Sequence, residues 1–209
     1  FINKKSKAII MDHREKELKL FLAIEELFLT NGHVSLGINR VAKKSGLDKS
    51  YIYRKYGSFE SLLEKYFKQK DFWSTKVDQM SQAIIPDSPF TFKQIIDFYL
   101  HKQFDSILSD EQLQKLMIWS ISEENDLMKS FISKREKVGE GLFELSGEFL
   151  KDIPIDYRAV SAINVAAIYY LSLHAASNNG TFCGLNLNDK QDQDKIKKAI
   201  SYINGVFLK

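Results

Sequence analysis

Val41-Ala42-Lys43-Lys44-Ser45-Gly46-Leu47-Asp48-Lys49-Ser50-Tyr51-Ile52-Tyr53-Arg54-Lys55-Tyr56-Gly57 is the stretch that decides the fold of this 209-residue chain. A short helix is predicted from about Ile38 to Ser45, with Ile38, Val41 and Ala42 inward by spacing. Gly46 can make a sharp turn, Leu47 can plug the core, and Asp48 stands where it could cap the next helix. That helix runs to Tyr56 with Ile52 and Tyr56 on its inner side, and Gly57 ends it. Two short helices joined by a glycine turn, behind a longer support helix, make a helix-turn-helix. The major groove of DNA, about 12 Å wide, admits one α-helix, and the second helix of such a motif lies in it. The outer face of that helix must then carry polar groups and cations. Lys49, Ser50, Tyr51, Tyr53, Arg54 and Lys55 are the residues expected there, with Arg40, Lys43 and Lys44 nearby.

Working outward, the support helix is expected to start after Asp12, with Glu15 three residues on as a variant capping box. Leu20, Ile24, Leu27 and Phe28 form its apolar stripe, and Asn31-Gly32 stops it. Ser35 is the candidate cap of the second helix. Ser58 caps a fourth helix with apolar positions Phe59, Leu62, Leu63, Tyr66 and Phe67. Pro86-Asp87-Ser88-Pro89 breaks the chain. A fifth helix follows through Phe92, Ile95, Ile96, Tyr99 and Phe104, then a sixth opened by a Ser109/Gln112 capping box. A long helix carries Leu127, Phe131, Val138, Leu142, Leu145 and Phe149 up to Ile153-Pro154. An Ala-rich helix spans 156–178 and a last one 189–207, with Ile196, Ile200, Ile203 and Phe207 as its stripe. No strand-like alternation of useful length interrupts this, so the chain reads as all-α.

Composition narrows the function. Apolar residues are 44% and charged residues 27%, ordinary for a globular protein. One cysteine, Cys183, excludes an internal disulfide framework and suits a reducing, cytoplasmic compartment. No unbroken apolar run approaches the roughly 20 residues of a membrane span, and Ala8-Ile9-Ile10-Met11 is too short for the apolar part of a signal peptide. The net charge of +3 is unevenly placed: residues 1–70 hold 15 Lys and Arg against 8 Asp and Glu, and residues 71–209 hold 15 against 19. A basic head on an acidic body is the asymmetry expected if only the head meets nucleic acid. His13, His33, His101 and His174 are scattered, with no Glu-x-x-His pair, no zinc spacing and no Gly-rich phosphate loop. No metal, no cofactor and no catalytic constellation is expected.

Residues 15–67 resemble the DNA-binding head of the TetR (tetracycline-repressor-like) transcriptional regulators. The family pattern has a Leu-Phe pair ending helix one, Gly plus an aromatic, an Ile/Val-Ala pair and Ala-Gly-Val at the turn. A Tyr and a Phe follow on the recognition helix, and Ser-Lys-Glu-x-Leu opens helix four. This chain has Leu27-Phe28, Gly32-His33, Val41-Ala42, Ser45-Gly46-Leu47, Tyr53 and Tyr56, and Ser58-Phe59-Glu60-Ser61-Leu62, without gaps. It departs at Phe59, where the family has Lys, and at Leu36-Gly37, where a Thr-Ser/Thr pair is usual.

The resemblance implies a three-helix DNA-binding head, residues 12–57, a connecting helix four, 58–84, and a helical ligand-binding and dimerisation body, 85–209. Lys49, Ser50 and Tyr51 would approach base edges; Tyr53, Arg54 and Lys55 would contact backbone phosphate. An effector cavity is implied in the body, and Trp73, Phe98, His101, Trp119, Tyr169 and His174 are the expected lining. The last two helices imply a homodimer on a palindromic DNA operator, released when an effector shifts helix four. The alternative is a helical ligand-binding or scaffold protein whose head has lost specific DNA binding, on the strength of Phe59 and Leu36-Gly37.

Overall fold

The computed structural model describes residues 4–70, 89–151 and 153–208. The chain divides into two units, Phe1–Lys70 and Asp71–Lys209. Both are helical among the described residues, apart from an isolated bridge between Phe182 and Leu185.

The first unit contains α1 (Lys4–Asn31), a 3-10 turn (His33–Ser35), α2 (Ile38–Ser45), α3 (Lys49–Tyr56) and α4 (Phe59–Lys70). Helix α1 begins well before Asp12, so Asp12 does not cap it; its carboxylate instead pairs with Lys16 at 2.7 Å, one turn on. The core is a short stack of fully buried side chains. Leu20, Ile24 and Phe28 come from α1, Val41 from α2, Ile52 from α3, and Leu62, Tyr66 and Phe67 from α4. Phe28 and Phe67 meet edge to face at 5.2 Å. Ser35 is buried and donates to the carbonyls of Leu27 and Gly32 at 2.6 and 2.7 Å, which fixes the turn after α1. It does not cap α2, whose N-cap is Gly37 with no side chain to offer.

The turn of the motif rests on Gly46, whose φ of 70° is left-handed, a conformation that costs an L-residue roughly 1–2 kcal/mol. Asp48 occupies the N-cap position of α3 but makes no side-chain cap bond. Ser58 does cap α4, accepting from the Ser61 amide at 3.0 Å.

The second unit contains α5 (Phe92–Ser109), α6 (Glu111–Ser122), α7 (Asp126–Leu145), the single turn α8 (Gly147–Leu150), α9 (Tyr157–Asn178) and α10 (Lys190–Phe207). The full capping box lies at Thr91 and Gln94, where α5 begins. Ser109 ends α5 rather than opening α6; Asp110 caps α6 by accepting from the Leu113 amide. The predicted continuation of helix four to residue 84 and the turn at Pro86-Asp87-Ser88 lie outside the described residues.

Helix α9 is long and apolar enough by composition to cross a bilayer, although its apolar residues are interrupted by polar ones. One side of it packs: Val160, Asn164, Ile168, Ser172 and Ala175 form a stripe buried in the helical body. Within it sits a polar network. The Asn204 carbonyl of α10 accepts from Tyr157 at 2.9 Å and from Asn164 at 3.1 Å, and the Asn204 amide donates to Asp97 of α5 at 2.7 Å. Lys93 closes the chain on Asp97 at 2.5 Å. Burial, and then the charge of Asp97, push the Tyr157 phenol well above its ordinary pKa, so it stays a donor. One amide thus locks three helices.

Asn204→Ala should cost the second unit about 3 kcal/mol, because the buried Tyr157 and Asn164 lose a shared partner and Asp97 is left with Lys93 alone. Urea unfolding followed by circular dichroism measures this.

Candidate functional site

The outer face of α3 is built from what its inner face does. Ile52 is fully buried and Tyr56 half-buried. Tyr56 donates to the Glu17 carboxylate of α1 at 2.9 Å, and Lys65 of α4 donates to the same oxygen at 2.5 Å. Burial alone would raise the Glu17 carboxyl, but the hydrogen bonds from Lys65 and Tyr56 outweigh it and hold the pKa below the usual range. Glu17 is therefore an ionised strut joining α1, α3 and α4.

Lys49, Ser50, Tyr53, Arg54 and Lys55 are all exposed on α3, with Tyr53 52% accessible. Tyr51 is not. It is 7% accessible, its ring stacks near His13 of α1 at 6.5 Å, and the Lys16 ammonium lies 5.5 Å from the ring centroid. The expectation that Tyr51 faces outward is corrected: it is a packing residue that seats α3 on α1. At eight residues the helix must hide three positions, and Tyr51 stands next to Ile52 on the inner side. Arg54 also reaches over the Tyr51 ring, at 5.9 Å, which orients the guanidinium along the outer surface. Phe59, the departure from the family pattern, is half-buried. Lys16 was missed by the motif reading because it belongs to the support helix; only the fold brings it beside α3.

The second unit holds a pocket of about 1030 Å³, partly open to solvent, between α5, α6, α7 and α9. Its wall is largely apolar, with Tyr99, Met117, Phe131, Phe143, Val165 and Leu173 among the lining side chains. Of the six expected lining residues, Tyr169 and His174 are there. Three are elsewhere. Phe98 is 54% accessible and carries Lys102 over its ring. His101 lies against α10, its Nε2 at 3.0 Å from the Lys197 carbonyl and 3.1 Å from the Ser201 hydroxyl. Trp119 is buried, and its indole N–H donates to Glu123 at 2.6 Å. Trp73 lies outside the described residues. Selecting aromatics and histidines in the sequence could not tell which side of each helix they occupy.

The polar residues of the wall were missed instead. Gln103 of α5 is 2% accessible and donates through Nε2 to the Tyr169 hydroxyl at 2.9 Å. Arg135 of α7 donates to the same hydroxyl at 2.5 Å. A glutamine between Leu100 and Phe104, inside an apolar stripe, was the available signal. Among the described residues no group of three or more His, Cys, Asp or Glu could hold a metal ion.

No family model matches the sequence, and no curated relative does. Solved structures do match in fold. The chain is similar to the transcriptional regulator FadR from Bacillus subtilis in complex with stearoyl-CoA, at 16% identity over 90% of this chain and 96% of that one, with a TM-score of 0.63. It is similar to NalD, the secondary repressor of the MexAB-OprM multidrug efflux pump in Pseudomonas aeruginosa, at 15% identity over 94% and 97%, TM-score 0.68. A TetR family transcription regulator from Marinobacter aquaeolei matches at 14% identity over 90% and 97%, TM-score 0.59.

The strut at Glu17 makes a pH prediction. A carboxyl depressed in the folded state stabilises it fully above the unfolded pKa, and the contribution is lost as pH falls through the folded value. Glu17→Gln should therefore be less stable than the native chain near pH 7, by about 1 kcal/mol or less because the pair is partly solvated. The two should converge as the pH falls through the depressed folded-state pKa of Glu17. Urea titrations at pH 7 and at successively lower pH read the difference.

Proposed function

We propose that this chain, which has the fold of the TetR-family regulators, is a ligand-responsive DNA-binding transcriptional regulator. It acts as a cytoplasmic repressor released from a palindromic operator by a small-molecule effector. The observation that carries the reading is the split character of α3. One side is anchored by Tyr51, Ile52 and Tyr56, and the other offers Lys49, Ser50, Tyr53, Arg54 and Lys55 to solvent. An eight-residue helix with a fixed seat and a cationic, hydroxyl-bearing outer face suits a major groove. Lys49 and Ser50 are proposed to approach base edges; Tyr53, Arg54 and Lys55 are proposed to hold phosphates, which set register and salt dependence.

The cavity supplies the second half. FadR was solved with stearoyl-CoA, and NalD is a repressor of an efflux pump; an effector here would occupy the space between α5, α6, α7 and α9. If bound effector lowers DNA affinity, DNA lowers effector affinity by the same factor. Dimerisation through α9 and α10 is supported by their unpartnered apolar side chains: Ile163, Tyr202 and Val206 are all more than half exposed. A two-fold dimer would read half-sites one or more helical turns apart, about 34–36 Å each.

A second reading, a head that has lost specific DNA binding, is favoured by Gly37 at the N-cap of α2 and by Phe59. Fluorescence anisotropy with DNA from immediately upstream of the chain's own gene, against scrambled DNA, separates the two. A preference of about 10³ or more is expected. Arg54→Ala should weaken binding to every sequence by about tenfold and lower the salt slope by about one. Phe59→Lys should only strengthen binding; if it creates binding where the native chain has none, the second reading holds.

The dimer has its own test. Light scattering should give twice the 24.2 kDa chain mass, and Ile163→Asp with Val206→Asp should give the single mass and lose tight DNA binding.

A further inference from the structure

Lys16 stands on the support helix, outside the helix-turn-helix, yet its ammonium lies 5.5 Å from the centroid of the Tyr51 ring of α3. The Arg54 guanidinium lies 5.9 Å from the same centroid. One ring therefore collects two cations, from two helices, at the edge of the outer face of α3. Arg54 is exposed, and among the described residues it pairs with no carboxylate.

Attraction to the ring favours each cation singly but does not call for two. Like charges brought together repel. The hydrogen bond to Asp12 holds the Lys16 ammonium above the ordinary lysine range, and it does so against desolvation and against the charge of Arg54. The nearby carboxylates do not neutralise the pair. Glu17 faces inward to Tyr56 and Lys65, and Glu15 is held by Lys19 at 2.9 Å. Among the described residues Asp12 alone forms an ion pair with Lys16, at 2.7 Å. That is a surface contact, with the Lys16 and Asp12 side chains 34% and 54% accessible, so it is weak and screened by salt. It occupies one of the three ammonium N–H donors.

Tyr51 adds a second sign. Its hydroxyl is buried without a hydrogen-bond partner, so the fold keeps the ring and does not use the phenol. What the residue supplies is a wall. At 7% accessibility it stops either cation from turning inward.

We propose that Lys16 is a further DNA contact, a phosphate ligand that α1 supplies beside the one Arg54 supplies from α3. The two cations take neighbouring phosphates of one strand where it passes the edge of α3. The phosphates relieve a repulsion that the free chain carries. Phosphate contacts fix register and carry no base information, so Lys16 sets how α3 sits in the groove and not which sequence it reads. This rests on reading α3 as the groove helix and extends its surface onto the support helix.

Helix α1 contains its own control. Arg14 is exposed and pairs with no carboxylate among the described residues. Two residues from Lys16, it lies about 200° around the helix. Losing either cation changes the net charge equally, but Lys16 is the one that faces α3.

Fluorescence anisotropy from about 50 to 200 mM salt, on DNA upstream of the chain's own gene and on scrambled DNA of equal length, makes the test. On both duplexes Lys16→Gln should weaken binding about tenfold and lower the slope of log affinity against log salt by about one. Lys16→Arg should restore both, and Arg14→Gln should leave the slope as it is. Lys16→Gln combined with Arg54→Gln should lower the slope by about two. Urea unfolding of the same variants accompanies the titrations. A lysine that only seats Tyr51 would move the unfolding midpoint and leave the slope alone. An unchanged slope in Lys16→Gln, or an equal fall in Arg14→Gln, overturns the proposal.

The underlying reading fails separately. Equal binding to both duplexes, with Lys16→Gln still lowering the slope, keeps the phosphate contact and sinks the sequence-specific regulator. A clear preference for the upstream DNA, with the slope unmoved by Lys16→Gln, does the reverse. Binding to neither duplex sinks both.

Discussion

An eight-residue helix does not hold its shape in water, since the cost of nucleating the first turn is recovered only over a dozen or more residues. Everything proposed for the first unit depends on how α3 escapes that limit. It does so by burial on one side: Tyr51 and Ile52 are hidden, and Tyr56 is tied through Glu17 to α1 and α4. The outer side chains inherit their positions from these contacts. Of the three, the Glu17 strut is the only one with a charge, and it makes the seat of the helix sensitive to protonation in a way that apolar packing is not.

The second unit solves a different problem. Four helices that surround a space of about 1030 Å³ give up packing that a filled core would have. The buried network at Asn204 offsets part of that. It joins Tyr157, Asn164 and Asp97 through one side chain, on the side of α9 away from its exposed face. Apolar contacts in a helical body tolerate sliding; hydrogen bonds of fixed length do not. The polar lock therefore sets the register of α5, α9 and α10 while leaving the cavity open.

Burial also explains which polar residues carry information. Serines, lysines and glutamates on exposed faces are satisfied by water and say little. A glutamine at 2% accessibility must find its partner within the fold, and Gln103 finds the Tyr169 hydroxyl. His101 does the same. It too is a polar residue on α5, and its ring nitrogen meets a backbone carbonyl and a serine of α10, so its role is complete within the fold.

What the sequence determined by itself is local and periodic. Helical spacing gave α2, α3, α9 and α10 nearly to the residue, because apolar repeats of three and four and the glycines at 46 and 57 are short-range signals. The motif placed Lys49, Ser50, Tyr53, Arg54 and Lys55 on one surface for the same reason. Capping was less legible: Asp12, Ser35, Asp48 and Ser109 all have the right chemistry, but each competes with another partner or geometry that only the folded chain supplies. The inward turn of Tyr51 and the lining of the cavity were decided by tertiary structure. Which side of a helix is covered depends on neighbours far away in sequence, and a cavity is the space those neighbours leave. Gln103, Arg135 and Tyr169 stand on three helices and come together only where those helices meet.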